Sequence, residues 1–307
     1  MWTSERDGWR HVYRVSKDGG EAKLITAFAA DVIEVVGASP TDLFFLASPA
    51  NATQRYLYRA PLDGSAAPQR VTPAAESGSH EYEVAPGGRL AFHTWSSIDR
   101  PPVIDVVELA GHRSRRPLTD PARLRAQLDG VLQPPAEFFT VDIGGGVVLD
   151  GMMLKPRSFD PSRKYPVIVY VYGEPAGQTV VDLWGGGRIL FHRALADAGY
   201  IVVSFDNRGT PAPKGAEWRK AIYGSVGDLS SKEQAAAIRA LAARDPFIDP
   251  ARLGIWGWSG GGSSTLNAMF RFPDVYKVGV AVAPVPDQRL YDTIYQERYM
   301  PDCSDTT

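Results

Sequence analysis

Arg252-Leu-Gly-Ile-Trp-Gly-Trp-Ser-Gly-Gly-Gly-Ser264 reads as a short buried strand that turns sharply into a helix. Leu253 to Trp256 form the apolar run, and the helix continues through Thr265, Leu266, Asn267, Ala268 and Met269. Between them stands Gly257-Trp258-Ser259-Gly260-Gly261, a Gly-x-Ser-x-Gly turn with a strand before it and a helix after it. A serine presented there must project its hydroxyl from a strained turn. Side chains two residues to either side would collide with neighbouring backbone, which explains Gly257 and Gly261. The helix N-terminus behind it offers free N–H groups and a positive dipole end, suited to a developing oxyanion. Ser259 is therefore the candidate nucleophile, and the N–H of Gly260 a candidate donor.

The flanking chain has the same strand–helix rhythm. Phe138 to Ile143 and Val147 to Leu154 read as a hairpin around Gly144-Gly145-Gly146, and Tyr165 to Tyr172 reads as a buried strand. A helix over Ile189 to Ala198 leads to a strand over Tyr200 to Phe205, closed by Asp206-Asn-Arg-Gly-Thr210. An alanine-rich helix over Ser230 to Arg244 precedes the serine strand, and Val278 to Ala283 is a further strand. Such alternation predicts a parallel α/β sheet with its ligands at the carboxyl ends of the strands.

The first part of the chain is different and repeats itself. Tyr13-Arg-Val-Ser-Lys-Asp-Gly and Tyr58-Arg-Ala-Pro-Leu-Asp-Gly are equivalent, and Thr26, Thr72 and Thr119 close successive units. Ala38-Ser-Pro40 before Leu43-Phe-Phe-Leu46 corresponds to Ala85-Pro86 before Leu90-Ala-Phe92. A period of about 45 residues, built of short strands joined by Asp-Gly or Pro-Gly turns, predicts β-propeller blades. About three blades are visible, fewer than a closed ring needs, so the expectation is part of a larger propeller. Gln133-Pro-Pro-Ala136 punctuates the boundary: residues 1–133 form C-terminal propeller blades, and residues 134–307 the N-terminal part of an α/β-hydrolase domain.

Composition narrows the classes. With 307 residues, 44% hydrophobic and 22% charged, the chain reads as an ordinary globular protein. A net charge of −2 offers no field for nucleic acid or an anionic membrane surface. No apolar run approaches the length of a membrane span, and Met1-Trp-Thr-Ser-Glu-Arg-Asp does not read as a signal peptide. Cys303 is the one cysteine, which leaves no intrachain disulfide, no thiolate metal site and no reading of cellular compartment. No cofactor and no metal are expected.

Several stretches together resemble one family. Trp256-Gly-Trp-Ser-Gly-Gly261, Val280-Ala-Val-Ala-Pro-Val285 and Leu290-Tyr-Asp-Thr-Ile-Tyr-Gln-Glu-Arg-Tyr-Met300 are similar to the dipeptidyl peptidase IV branch of the prolyl oligopeptidase clan of serine peptidases. Trp2 to Tyr13 looks like a late propeller blade of that branch, and Asn207-Arg-Gly follows its pattern too. The resemblance implies a serine exopeptidase that removes short N-terminal peptides after Pro or Ala through an acyl-enzyme. It implies Ser259 as nucleophile, the Tyr172 hydroxyl and the Gly260 N–H as oxyanion donors, and Val285, Tyr291 and Tyr295 as the pocket for the residue at the cleavage position. Tyr291 and Tyr295, four apart, would share one helix face. Peptides are the implied partners, and a full-length protein could be a homodimer.

Other features depart from the family. Gly260 stands where the family usually has a pocket tyrosine, and Gln288 where a tryptophan is common, so a wider or more polar pocket is expected. The family's Asp and His lie well beyond the serine, whereas His11, His80, His93, His112 and His192 all precede Ser259. His192 reads as part of a helix start, remote from the role of base. The tail from Pro301 is read as leaving the family pattern after Met300. The expectation is that these 307 residues lack the triad partners and are inactive as they stand. An acylaminoacyl-peptidase or esterase on the same scaffold, or a non-catalytic binding protein, are the rival readings.

Overall fold

In the computed structural model the described residues are 1–300; Cys303 and the rest of the tail from Pro301 lie outside them. Two compact units divide the chain. One comprises Met1–Asp129 with Val181–Gly186 and Pro213–Glu217; the other takes Gly130–Val180, Gly187–Ala212 and the chain from Trp218.

The first unit holds three antiparallel sheets. β1 (Trp2–Ser4), β2 (His11–Arg14) and β3 (Lys23–Leu24) form a three-stranded sheet. β4 (Glu34–Ala38), β5 (Asp42–Ala47), β6 (Tyr56–Pro61) and β7 (Gln69–Arg70) form a four-stranded meander in chain order. β8 (Ser79–Val84), β9 (Leu90–Ser97), β10 (Arg100–Glu108) and β11 (Arg113–Pro117) form a second such meander, followed by the short α1 (Ala122–Leu128). Each strand of the second meander starts about 45 residues after its counterpart, the period of the sequence.

β5 shows why these sheets pack face to face. Its run Leu43-Phe-Phe-Leu-Ala47 is apolar throughout, because successive side chains point to opposite faces and both faces are covered. Leu43, Phe45 and Ala47 join Val12, Ile25, Val32 and Ala60 in one core cluster. Phe44 and Leu46 join Leu57, Tyr82, Ala91, Val107 and Leu109 in another. A fully buried aromatic of this kind contributes roughly 1.5–3 kcal/mol by transfer from water alone.

The second unit is built on one six-stranded sheet of order β12-β13-β15-β14-β16-β17. β12 (Glu137–Asp142) and β13 (Val148–Leu154) are the antiparallel hairpin, and β13 pairs antiparallel with β15 (Ile201–Asp206). From there β15, β14 (Tyr165–Tyr170), β16 (Ile248–Trp258) and β17 (Val278–Val282) run parallel. The sheet is therefore mixed, and parallel only over its last four strands. Along the chain α2 (Gly187–Asp197), α3 (Gly215–Lys220), α4 (Asp228–Arg244), α5 (Gly260–Arg271) and α6 (Thr293–Tyr299) supply the helices. α4 and α5 pack together over β16, while α2 packs over β13 and β15. β15 is buried along its whole length, as a central strand covered on both faces must be. Among the described residues no helix is long and apolar enough to cross a membrane.

Candidate active site

Ser259 occupies the turn between β16 and α5, with φ of +57° and ψ of −120°. For a residue with a Cβ this is a strained backbone, worth about 1–3 kcal/mol, and it persists only where the surroundings enforce it. Here they do so by close approach. A Cβ on Gly257 would collide with the carbonyls of Gly261 and Val171, and a Cβ on Gly261 would collide with the Val171 carbonyl. The turn thus lies directly on the carboxyl end of β14, and the Ser259 N–H is tied across to the Val282 carbonyl at 2.9 Å. The first N–H groups of α5 are left free of helical partners, facing the serine.

The same contact brings in Tyr172, two residues past the end of β14. Its Cα lies 3.2 Å from the position a Gly261 Cβ would take. Gly177 folds over the Tyr172 ring, where a Cβ would sit 2.8 Å from Cδ1. Burial, with the nearby Glu174 charge, holds the Tyr172 phenol above its ordinary value, so it remains a donor at neutral pH.

The loop carrying Tyr172 is pinned at both ends by Asp206 at the end of β15 and Asn207 just after it. Asp206 accepts from the Thr179 N–H (2.8 Å), the Thr179 hydroxyl (3.0 Å) and the Val180 N–H (3.2 Å). Burial nevertheless outweighs those donors and pushes Asp206 up to about 6. Asn207 Nδ2 donates to the Gly173 carbonyl at 3.0 Å, and Gln234 Nε2 from α4 donates to the Phe205 carbonyl and to Asn207 Oδ1. The sequence marked Asp206-Asn207 as a loop; its work of holding another loop depends on pairing that sequence does not display.

The expected pocket residues fall as follows. Val285 is tied to Ser263 of α5, its N–H donating to Ser263 Oγ at 2.9 Å. Tyr291 does not share a helix face with Tyr295: it closes the 3-10 turn Gln288–Leu290, and Asp292 caps α6 after it. Their rings still meet, 5.4 Å apart and nearly perpendicular. Gln288 is engaged by Gln296, whose Nε2 donates to its Oε1 at 2.6 Å. Tyr295 donates its hydroxyl to Glu174 Oε2 at 2.7 Å.

Glu174 went unremarked in the sequence. It is 4% exposed, burial raises its pKa, and its Oε1 has no hydrogen-bond partner. Its Oε2 lies 2.5 Å from where a Cβ on Gly260 would stand. The carboxylate thus occupies the space a side chain at position 260 would enter, and it links Gly260 to Tyr295.

No histidine bonds Ser259 among the described residues. His11 pairs with Asp7, His80 with His93, His93 with Asp105 and His112 with Tyr82. His192 lies inside α2, not at its start, and is buried against Tyr170, Trp256 and Phe191. Burial lowers its pKa to about 3.

Comparison with known proteins identifies the family. Residues 191–306 match the prolyl oligopeptidase family, and residues 1–102 match the dipeptidyl peptidase IV N-terminal region. The crystal structure of Porphyromonas gingivalis dipeptidyl peptidase 4 superposes with a TM-score of 0.88 at 34% identity, over 97% of this chain and 41% of that one. The chain belongs to the dipeptidyl peptidase IV branch of the prolyl oligopeptidase family. An Aspergillus flavus protein named "Probable dipeptidyl peptidase 4" is 30% identical over 97% of this chain and 38% of its own length. Dipeptidyl peptidase 4 of Trichophyton equinum is 29% identical with the same coverage, 97% and 38%. The chain thus spans about two fifths of the length of these relatives. The resemblance read from Trp256 to Gly261 and from Leu290 to Met300 is borne out, and the family match continues to residue 306, past Met300, where the sequence reading had ended it.

Gly260 and Glu174 should behave as a coupled pair. Gly260→Tyr, which introduces the tyrosine that the resemblance leads one to expect there, is expected to destabilise the protein by about 1–3 kcal/mol through overpacking on the carboxylate. Adding Glu174→Ala should return most of that loss. Urea unfolding of the two single variants and the double variant measures the coupling; strict additivity would show that the two positions do not compete for space.

Proposed function

We propose that this chain carries the nucleophile, the oxyanion donors and part of the specificity pocket of a serine-type dipeptidyl peptidase. The observation that carries the reading is the strained turn of Ser259, seated at the start of α5 and packed on the loop of Tyr172. Ser259 Oγ would attack the peptide carbonyl to form an acyl-enzyme. The Gly260 N–H and the Tyr172 hydroxyl would take the negative charge that develops on the carbonyl oxygen. A phenol kept protonated by its burial suits that task, since its bond strengthens as charge builds. The meanders of the first unit are read as blades of a propeller, on the support of their repeat and the match to the dipeptidyl peptidase IV N-terminal region.

The cleavage pocket would lie beside Val285, Tyr291 and Tyr295. Glycine at 260, the Gln288–Gln296 pair and the Glu174 carboxylate support a pocket more polar than one shaped for proline alone. Turnover also needs a base. No histidine among the described residues meets Ser259, and His192 is buried with a depressed pKa.

These features set three expectations. The 307 residues alone should show no more than trace hydrolysis of an Ala-Pro chromogen and no stoichiometric fluorophosphonate labelling, because a missing triad member lowers rates by about 10⁴-fold or more. Labelling that Ser259→Ala abolishes, together with ordinary turnover, would mean that one of the five histidines does reach the serine. In a longer form supplying the family's Asp and His, Tyr172→Phe should lower kcat by about 10²–10³ with KM nearly unchanged. An unchanged kcat would return Tyr172 to a packing role. In that same form kcat/KM for Ala and Pro at the cleavage position should agree within about tenfold. A preference of several hundredfold for Pro would contradict the polar pocket.

A further inference from the structure

Away from Ser259, in the β8–β11 sheet of the first unit, three histidines and two carboxylates converge. His80 lies on β8, His93 on β9 and Asp105 on β10, with His93 directly opposite Tyr82 on one side and Asp105 on the other. Glu76 precedes β8, and His112 follows β10. His80 and His93 are 0% and 4% exposed. Nothing in the peptidase reading uses this cluster.

Its hydrogen bonds leave a gap in the proton count. His93 Nδ1 meets Asp105 Oδ1 at 2.9 Å, and His80 Nε2 meets the Glu76 backbone carbonyl at 3.1 Å. Both partners are acceptors, so each of those ring nitrogens carries the hydrogen. That leaves His80 Nδ1 and His93 Nε2 as bare lone pairs, and they face each other at 2.9 Å. Two lone pairs at that distance repel unless a positive charge lies between them. A shared proton would turn two buried rings into a cation, against the desolvation penalty.

The surroundings fit a metal ion better. Ligand atoms of Glu76, His80 and His93 lie within 4.8 Å of one another. Glu76 Oε2 is buried with no hydrogen-bond partner, and His112 Nδ1 lies 3.8 Å from it. A four-coordinate ion with bonds of about 2.0–2.1 Å spaces its ligand atoms roughly 3.3 Å apart, so the pair of nitrogens need open by only a few tenths of an ångström. Each ligating histidine already has its second nitrogen fixed, one by a carboxylate and one by a backbone carbonyl, as metal-bound histidines do. Imidazole nitrogens with one carboxylate select first-row transition ions over magnesium or calcium.

We propose that His80 Nδ1, His93 Nε2 and the Glu76 carboxylate bind one divalent first-row transition ion of the zinc type, which clamps the segment before β8 to β8 and β9. This departs from the expectation of no metal, which the sequence reading reached from its single cysteine without weighing Glu76, His80 and His93.

The test uses the untagged 307-residue chain, stripped with chelator and titrated with zinc chloride by calorimetry, with cobalt(II) as the visible probe. The expected result is saturable uptake of one ion per chain, a visible cobalt band of low-symmetry coordination, and a melting temperature that rises with zinc. His80→Gln and His93→Gln should each weaken zinc binding by about a hundredfold or more, and His11→Gln should leave it unchanged. Asp105→Asn keeps every ligand atom and removes only the anchor of His93, so it should weaken binding by about 10–100-fold even where the histidine variants fold poorly. Absence of stoichiometric uptake, or uptake undiminished in the Asp105 and histidine variants, overturns the site. So does nitrogen NMR showing a proton shared by His80 and His93 in a chain that takes up no metal.

Discussion

The second unit depends on how closely the serine turn approaches the end of β14. Gly257 and Gly261 have no room for a side chain because the Val171 carbonyl fills it. That contact keeps Ser259 at a positive φ, at a cost of about 1–3 kcal/mol that other packing must offset. It also fixes where Tyr172 stands, since Tyr172 is the next residue along. One steric constraint therefore sets both the strained serine and the backbone position of Tyr172. A hydroxyl two residues beyond a strand end would otherwise wander with its loop.

The loop does not wander because buried polar groups at the end of β15 and on α4 hold it. Asp206, Asn207 and Gln234 together engage Gly173, Thr179 and Val180. Asp206 remains displaced upward to about 6 even with hydrogen bonds from Thr179, Gln178 and Val180, so its burial is a net electrostatic penalty. What the penalty secures is order: the segment from Tyr172 to Val180 contains no strand or helix, and its backbone groups need fixed partners if the Tyr172 hydroxyl is to keep one position.

Legibility in the sequence followed the range of the interactions. The strands β12 to β17, the helices α2, α4 and α5 and the repeat of the meanders were all written in local periodicity, and the structure has them within a few residues. Leu43-Phe-Phe-Leu46, which the sequence offered only as a marker of the repeat, belongs to β5, a strand buried on both faces. The short helices α1 and α3 were not legible, since six or seven residues give too little periodicity to distinguish a helix from a turn. Tyr291 and Tyr295 were paired correctly but for the wrong reason: the chain breaks at Asp292 and the rings meet across the break. Glu174 was invisible because its partner Tyr295 lies far along the chain, and the histidine cluster because it forms only when β8, β9 and β10 pair side by side.

Glu174 is the most instructive of these. A missing side chain at position 260, taken by itself, argues for a larger pocket. The structure fills part of that space from another loop, with a carboxylate that accepts from Tyr295. Volume is thereby conserved more closely than chemistry. An aromatic wall can be lost without leaving a cavity, which would be costly in a packed site, provided that another element supplies atoms of similar bulk. The atoms supplied here are polar and include one buried oxygen with no hydrogen-bond partner. That oxygen is buried with the rest of the Glu174 carboxylate, so the space beside Gly260 is closed by a polar group and not left open as a cavity.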